Sequence, residues 1–322
     1  MGEPGLLTTV QDGGRWGCQH LGVPVAGPMD PVSHRTANLL VGNPADRAAL
    51  EVTLVGPELE FLDDTIFAVA GARFDLLLDE RPMETGVAAR AGRGSRLRFG
   101  RRTAGARASL AVRGGIDVPS RLGSRSTDLA SRLGGLGGRP LRPGDRLDVG
   151  APGGAPVRGR RRAPVLPLPA GGARVRFLPG ADPERFEAGA LERLPDDRFT
   201  VGPDSNRMGY RLQGPAIGLD DPAPFLSTAT PAGTIQVPPS GQPILLMADR
   251  QTTGGYAVLG TVITADLGVA GQLAPGDWIA FDACDQREAL AALVELEQRL
   301  MRLAPRRHGP AGATGDGRGE TG

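Results

Sequence analysis

The sequence contains no lysine, because all 37 basic residues of the 322-residue chain are arginine. This absence excludes three kinds of chemistry from the chain itself: Schiff-base catalysis, a Walker-type phosphate-binding lysine, and a covalently attached biotin or lipoyl group. Arginine instead binds carboxylates and phosphates through two parallel hydrogen bonds, and it does not act as a base at neutral pH. Any lysine-linked cofactor must therefore be carried by another chain.

Other features are also scarce. Three histidines and two cysteines are too few for a His-rich metal site or a disulfide framework, so we expect no metal. No apolar run reaches the roughly 18 residues that a membrane helix needs, and because no charged start followed by an apolar stretch is found, we expect no signal peptide. The net charge of +1 gives no bulk attraction to nucleic acid or acidic membranes. These absences predict a soluble cytoplasmic protein with neither nucleic-acid nor membrane partners.

Glycine and proline, by contrast, are abundant, with 49 and 29 residues. Short apolar runs recur between turn signals every roughly 8–12 residues, which is typical of a mainly β protein with a few helices. Helices are predicted at 30–42, where Asp30 and Pro31 form a favourable start, and at 286–303, where leucines recur at helical spacing. In the first half, strands are expected at 6–10, 49–54, 58–61, 65–70, 74–78, 96–99, 109–112 and 146–149.

The two halves of the chain share four short patches in the same order. One patch reads Thr-Val, a short gap, then Asp-x-x-Arg-x-Gly, and it contains Asp12 and Arg15 in the first half and Asp204 and Arg207 in the second. The other matched pairs are 54–57 with 212–215, 122–129 with 259–267, and 141–145 with 273–277.

This duplication predicts two tandem related β domains. A cleft between such halves is a natural binding site, and the two Asp-x-x-Arg turns would occupy equivalent positions there. Alternatively, each turn is closed by its own Asp–Arg ion pair. The predicted organisation is a first domain at 1–150 with helix 30–42 as an insertion, a linker at 151–171, a second domain at 172–285, the helix at 286–303 and a disordered tail at 304–322.

The stretch 248–256, Ala-Asp-Arg-Gln-Thr-Thr-Gly-Gly-Tyr, is the richest in polar side chains and lies between two apolar runs. A polar loop held on rigid strands is a common place for ligand groups, and its paired glycines permit a close approach to the backbone. The matching stretch at 113–117 lacks the Gln-Thr-Thr segment and the phenol. We therefore expect the second copy to carry the ligand and the first to be structural. The alternative is an ordinary hairpin connection.

Seven ordered motifs are spread over about residues 5–281: GLLTTVQD at 5–12, ANLLVGN at 37–43, LEVTLVGP at 50–57, GIDVP at 115–119, NRMGYRLQGP at 206–215, GTIQVPPSGQP at 233–243 and ADRQTTGGY at 248–256. Together they resemble the biotin-dependent carboxyltransferase family. Two departures are Asn206, where the family usually has an acid, and the sequence Ala-Gly-Pro-Met-Asp at 26–30, where Ser-Gly-Ala-Met-Asp is more usual.

The resemblance implies two tandem cyclophilin-like β-barrel domains and a partner-dependent activity. Members include the C component of bacterial 5-oxoprolinase, which works with a KipI-like chain, the B component, and a LamB/YcsF-like chain, the A component. Such complexes open 5-oxo-L-proline, a small lactam, to L-glutamate with ATP. We expect ATP at the level of the complex, and no biotin attached to this chain because it has no lysine.

Site roles follow from combining the resemblance with the residue types. Arg250 would bind the substrate carboxylate or a phosphorylated intermediate, Asp249 is the acid–base candidate, and Tyr256 would line the pocket or donate to a developing oxyanion. The expected substrate-binding residues are Gln251, Thr252, Thr253, Gly254, Gly255, Gln236, Asp204, Arg207, Asp12 and Arg15.

Two other functions stay open at this stage. The chain could be the carboxyltransferase component of a urea carboxylase-like system, with biotin supplied by a different chain. It could also be a non-catalytic protein that antagonises a regulatory partner of the kinase-inhibitor type.

Overall fold

The computed structural model of the protein describes residues 1–153, 161–163, 168–220 and 226–303. The predicted tail at 304–322 and much of the predicted linker lie outside these ranges. The first half contains β1 Leu7–Gln11, α1 Pro31–Leu40, β2 Ala49–Thr53, β3 Glu58–Glu60, β4 Thr65–Leu78, β5 Arg81–Met83, β6 Ala88–Ala91, β7 Arg96–Val112, β8 Ile116–Asp117 and β9 Asp148–Val149.

The second half is also mainly β. Its elements are β10 Gly172–Pro179, α2 Ala190–Arg193, β11 Phe199–Val201, β12 Gly209–Gln213, β13 Thr228–Ala229, β14 Thr234–Val237, β15 Ile244–Leu246, β16 Thr253–Gly254, β17 Ala257–Val262, α3 Leu267–Gly271, β18 Trp278–Ala283 and α4 Gln286–Met301. The predicted mainly β fold with a few helices is confirmed. All the strands fall inside the predicted domain ranges, whose exact limits stay a prediction.

The sheet of the first half is built on two long strands. Its order is β1-β2-β7-β4-β5, with β3 added to β7 and β6 added to β4. The sequence predicts separate short strands at 65–70 and 74–78, whereas the structure has the single strand β4. The register shifts in the segment from Gly71 to Leu76, where Gly71 has a φ of +97°. A bulge of this kind bends a strand without ending it.

The second half closes its strands into a barrel. The order is β10-β17-β14-β15-β12-β11-β18, and β18 pairs in parallel with β10 to complete the ring. Three phenylalanines fill part of its interior, because Phe281 lies 6.2 Å from Phe177 and 6.0 Å from Phe199 between ring centroids. Such fixed aromatic packing gives the loops at the barrel mouth a rigid support.

Strand order supports the internal duplication. The neighbours β1-β2-β7-β4 in the first sheet correspond to β11-β12-β15-β14 in the barrel, and both sets follow the same chain order. In each half the Asp-x-x-Arg turn follows the first strand of the set. The polar stretch at 248–256 follows β15, and its shorter counterpart at 113–117 follows β7.

Both predicted long helices are confirmed. Helix α1 begins after Asp30, whose carboxylate accepts hydrogen bonds from the N–H groups of Val32 and Ser33, each at 3.0 Å. Helix α4 begins with a capping box between Asp285 and Glu288. Within the described ranges, no helix is long and apolar enough to cross a membrane.

The halves are joined by buried polar contacts as well as by apolar packing. Arg107 on β7 donates from Nη1 to the Tyr210 hydroxyl at 2.7 Å and to the Gly271 carbonyl at 2.6 Å. Gln272 donates from Nε2 to Asp30 at 2.6 Å and to the carbonyl of Arg107 at 2.7 Å. These side chains lie away from water, so each bond contributes to a fixed relation between the halves.

One buried histidine makes folding sensitive to pH. His34 on α1 is fully enclosed, and burial lowers the pKa of its imidazole to about 4. Its Nε2 lies 3.3 Å from the Asn38 side-chain nitrogen, whereas its Nδ1 has no partner among the described residues. In the unfolded chain this imidazole has an ordinary pKa of about 6.5. Between pH 4 and 6.5 the unfolded state therefore binds more protons, and stability rises with pH.

From pH 7 to pH 5, this imidazole is expected to lower the free energy of unfolding by about 2 kcal/mol. His34→Gln should remove that part of the pH dependence, as measured by urea unfolding at several pH values. His20→Gln, at an exposed position, is the matched control and should leave the dependence unchanged. Identical pH profiles for the wild type and His34→Gln would contradict the assignment.

Candidate functional site

A buried guanidinium lies at the centre of the site. Arg207 follows the turn after β11 and is 5% exposed. Its Nε donates to Oδ2 of Asp249 at 2.8 Å, and its Nη2 donates to Oδ1 of the same carboxylate at 2.9 Å. Two parallel hydrogen bonds of this kind combine charge with fixed geometry. The Arg207 turn and the start of the 248–256 stretch are therefore held together.

The same guanidinium also reaches into the first half. Nη1 of Arg207 pairs with the carboxylate of Glu51 on β2, and Nη2 also donates to the carbonyl of Gly27 at 2.6 Å. The other oxygen of Glu51 accepts the N–H of Met29 at 2.6 Å. Burial by itself would lower the pKa of Arg207, but the carboxylates of Asp249 and Glu51 outweigh it and raise that pKa.

Glu51 was not among the residues predicted from the sequence. It lies in the middle of β2, where all five residues are buried, and is itself 2% exposed. An acid inside a strand that is covered on both faces requires a cation close by. A glutamate within the apolar run 49–54 could therefore have indicated a buried ion pair, although the sequence does not identify Arg207 as the cation.

Asp249 is bound to Arg207 through both its side chain and its main chain. Both of its carboxylate oxygens accept from Arg207, and its own main-chain N–H donates to the Arg207 carbonyl at 2.8 Å. The acid–base role of Asp249 stays a prediction.

Arg250 differs from Arg207 because its partners are carbonyl groups. Nε donates to the Thr230 carbonyl at 2.7 Å, and Nη1 donates to the carbonyls of Met247 and Ala248 at 3.3 and 3.5 Å. No carboxylate in the described ranges bonds to it, and Nη2 donates no hydrogen bond there. Burial lowers the pKa of Arg250, and the nearby charge of Asp249 opposes that shift. Arg250 is thus a cation with donor capacity left for an anionic ligand.

Gln236 supplies a second free donor group. It lies on β14, is 1% exposed, and its Nε2 has no hydrogen-bond partner in the part of the chain that is described. Its Oε1 accepts from Nε2 of Gln251 at 3.3 Å. A Cβ atom on Gly254 would lie 2.4 Å from Nε2 of Gln236, so a larger residue at this position would displace the end of the Gln236 side chain. A buried amide nitrogen without a partner calls for a ligand or a water molecule.

The rest of the predicted stretch is held at the barrel mouth by β13 and β16. Ala229 pairs with Thr253, and the main-chain N–H of Thr230 donates to the Thr252 carbonyl at 3.1 Å. Tyr256 is 46% exposed, and Gly255 beside it is also exposed. The structure therefore brings Gln236, Arg250, Gln251 and Gly254 together beneath an exposed rim.

The arginines of the two Asp-x-x-Arg turns bind partners outside their own turns. Arg15 is fully buried and donates to the carbonyls of Arg121 at 3.0 Å and Ser126 at 2.8 Å. Asp12 accepts from Gly14 and from the 124–126 segment, while Asp204 is exposed. Neither turn of the described chain pairs its own aspartate with its own arginine. An arginine side chain is long enough to reach a partner elsewhere in the fold, which is what Arg207 does.

Hydrogen bonds also set the charge state of Asp12. Burial would raise the pKa of this carboxyl, but the N–H of Arg125 and the hydroxyls of Ser124 and Ser126 lower it overall. Asp12 and Arg15 are thus bound to the 121–126 segment of the first half, and Asp204 lies at the surface. The structure does not join these three residues to the group around Arg250. Among the residues described, no cluster of three or more His, Cys, Asp or Glu side chains could hold a metal.

Comparison with known proteins agrees with this architecture. Residues 21–283 match the family described as carboxyltransferase domain, subdomain A and B, and the chain belongs to that family. The chain is 41% identical over 304 residues to the 5-oxoprolinase C subunit of Escherichia coli, covering 94% of this chain and 97% of that protein. It is 38% identical to the 5-oxoprolinase C subunit of Haemophilus influenzae, covering 87% of this chain and 89% of that protein.

A solved structure gives the same fold in a larger protein. The crystal structure of K. lactis urea amidolyase superimposes with a TM-score of 0.87 at 31% identity, covering 94% of this chain but 19% of that one. The fold is therefore shared by a protein of similar length to this chain and by a region of a much longer protein.

Removing the central guanidinium should strongly destabilise the protein. Arg207→Leu leaves the carboxylates of Glu51 and Asp249 buried without a cation, which is expected to cost about 3–5 kcal/mol of unfolding free energy. Arg211→Leu, at an exposed position on β12, is the matched control and should change stability by less than about 0.5 kcal/mol. Urea unfolding of both variants measures these changes. Equal losses of unfolding free energy in the two variants would refute the central role of Arg207.

Proposed function

We propose that this chain is the C-type component of an ATP-dependent 5-oxoprolinase complex, which hydrolyses 5-oxo-L-proline to L-glutamate in the cytoplasm. The observation that carries the proposal is the end-to-end correspondence with the 5-oxoprolinase C subunit of Escherichia coli, which covers 94% of this chain and 97% of that protein. The correspondence with K. lactis urea amidolyase, by contrast, covers 19% of that enzyme. The proposed partners are a KipI-like chain and a LamB/YcsF-like chain.

The donor groups around Arg250 support this substrate class. 5-Oxoproline carries one carboxylate and one lactam carbonyl, both of which accept hydrogen bonds. Arg250 is a buried cation without a carboxylate partner in the described chain, and it suits the carboxylate. The unpartnered Nε2 of Gln236 suits the lactam oxygen, where a hydrogen bond would polarise the carbonyl for attack. Tyr256 at the rim is proposed to donate to the same oxygen as charge develops.

The division of labour in the complex follows from what the chain lacks. It has no lysine for a Walker-type phosphate-binding loop, so we propose that another chain binds ATP. This chain would bind and orient the substrate, with Gln251, Thr252 and Thr253 beside the ring and the turn at 248–254 forming one wall.

A carboxyltransferase role in a urea carboxylase-like system is the second candidate. The close superposition on K. lactis urea amidolyase, with a TM-score of 0.87, favours it. In that case a separate biotin-bearing chain would be required, because this chain cannot carry biotin. The same donors would bind a urea carbonyl and a carboxylate. A non-catalytic regulatory role is the outcome if neither activity is found.

Reconstitution tests the choice directly. The chain purified with its KipI-like and LamB/YcsF-like partners is expected to form glutamate from 5-oxoproline only when ATP is present. Arg250→Gln should reduce kcat/KM by about 100-fold or more, since it removes a charged substrate contact. The matched control is Arg113→Gln, which changes the corresponding arginine of the first half and should retain activity. Biotin-dependent carboxylation of urea, with no glutamate formed, would instead establish the second candidate.

Substitution of Gln236 should lower the affinity for the ligand without a large change in the stability of the protein. Gln236→Met removes a buried amide nitrogen without a partner, and it also removes the oxygen that accepts a hydrogen bond from Gln251 at 3.3 Å. The two effects oppose each other, so the unfolding free energy should change by less than about 1 kcal/mol. Affinity for 5-oxoproline, measured by calorimetry on the assembled complex, should nevertheless fall. Gln242→Met, in the loop between β14 and β15 where the side chain bonds to Gly214, is the control and should bind normally. A loss of stability without a loss of affinity would show that Gln236 is purely structural.

A further inference from the structure

A row of alternating charges leads from the first half of the protein to the candidate ligand site. Glu51 is negative, Arg207 positive, Asp249 negative and Arg250 positive. The first three are joined by direct hydrogen bonds, and Asp249 also acts on Arg250 through its charge. All four side chains are buried. The hydrogen-bonded part of the row therefore connects β2 of the first half to the turn that carries Arg250.

The first member of the row is rigidly placed. Glu51 lies on β2, which is hydrogen-bonded to β1 on one side and to β7 on the other, with Thr9 and Ser109 as its direct neighbours. Its second carboxylate oxygen accepts the N–H of Met29. The first half therefore fixes the strand and one oxygen of the carboxylate, and the other oxygen is left to Arg207.

The last members lie in a turn and not on a strand. This turn connects β15 with the two-residue strand β16, and Arg250 donates there to the carbonyls of Thr230, Met247 and Ala248. Asp249 attaches the start of this turn to Arg207 through its carboxylate and through its main-chain N–H. The Arg207 guanidinium is in turn fixed by Glu51 and by the carbonyl of Gly27.

We propose that Glu51 is a positioning residue for the ligand site of the second half. It acts through Arg207 on Asp249, and so it fixes the turn that presents Arg250. The structural part of this proposal stands on the contacts alone, while its effect on substrate rests on the proposed function. A residue of the first half would then determine whether Arg250 of the second half can bind substrate.

Hydrogen–deuterium exchange on the full-length chain tests the structural part without any substrate. In Glu51→Gln, one of the two acceptors that Glu51 provides becomes a donor, so exchange of the main-chain amides in 248–254 should accelerate about tenfold. Tyr210→Phe removes a hydrogen bond across the same interface without altering the charge row, so exchange in 248–254 should stay at the wild-type rate. Unchanged exchange in Glu51→Gln, or equal acceleration in both variants, overturns the proposal.

A kinetic measurement on the assembled complex tests the functional part. KM for 5-oxoproline should rise about tenfold in Glu51→Gln and stay constant in Tyr210→Phe, even where the latter lowers the melting temperature more. If the complex does not turn over 5-oxoproline, the proposed function fails while the exchange result still decides the positioning role. If Glu51→Gln does not fold, Glu51→Asp keeps the charge but shortens the side chain, and its exchange in 248–254 is judged by the same criterion.

Discussion

The two halves of this protein depend on one buried guanidinium. Arg207 receives a carboxylate from each half, Glu51 from the first and Asp249 from the second. Each of these ions would cost several kcal/mol if it were buried alone. The three can therefore be enclosed only together, when both halves are folded and docked. Folding of the halves is coupled for this reason, and the polar contacts of Arg107 and Gln272 extend the coupling along the same interface.

Comparison of the two copies of the internal duplication shows where the halves differ. Alignment of Leu54-Val-Gly-Pro with Leu212-Gln-Gly-Pro sets Glu51 of β2 opposite Gly209 of β12, so the second half has no acid at that position. Arg15, the counterpart of Arg207, binds the carbonyls of Arg121 and Ser126. One copy of the turn thus closes within its own half, and the other copy reaches across. This asymmetry links the first half to the polar stretch that only the second half contains.

Much of this arrangement could be predicted from the sequence because it is local. The Asp30-Pro31 start of α1, the leucine spacing of α4 and the recurrence of short patches are all properties of nearby residues, and they gave a mainly β duplicated fold. The partner of Arg207 could not be predicted in the same way, since Glu51 lies 156 residues away in the chain. The Asp-x-x-Arg spacing suggests a pair within each turn, but the length of an arginine side chain permits a distant partner as well. The joining of two predicted strands into β4 depends likewise on its pairing with β7, which no short window contains.

Arg207 and Arg250 are both buried in the second half but have different partners, and this difference is the strongest physical argument for a ligand. Arg207 is neutralised by two carboxylates, whereas Arg250 is enclosed with carbonyls alone among the described residues, and the Gln236 amide near the same turn has an unpartnered nitrogen. Burial lowers the pKa of Arg250, but an arginine starts so far above neutrality that it remains charged. A fold selected for stability alone would replace these groups by apolar ones. Binding of an acceptor-rich anion, as proposed for 5-oxoproline with its carboxylate and lactam carbonyl, would give both groups a partner.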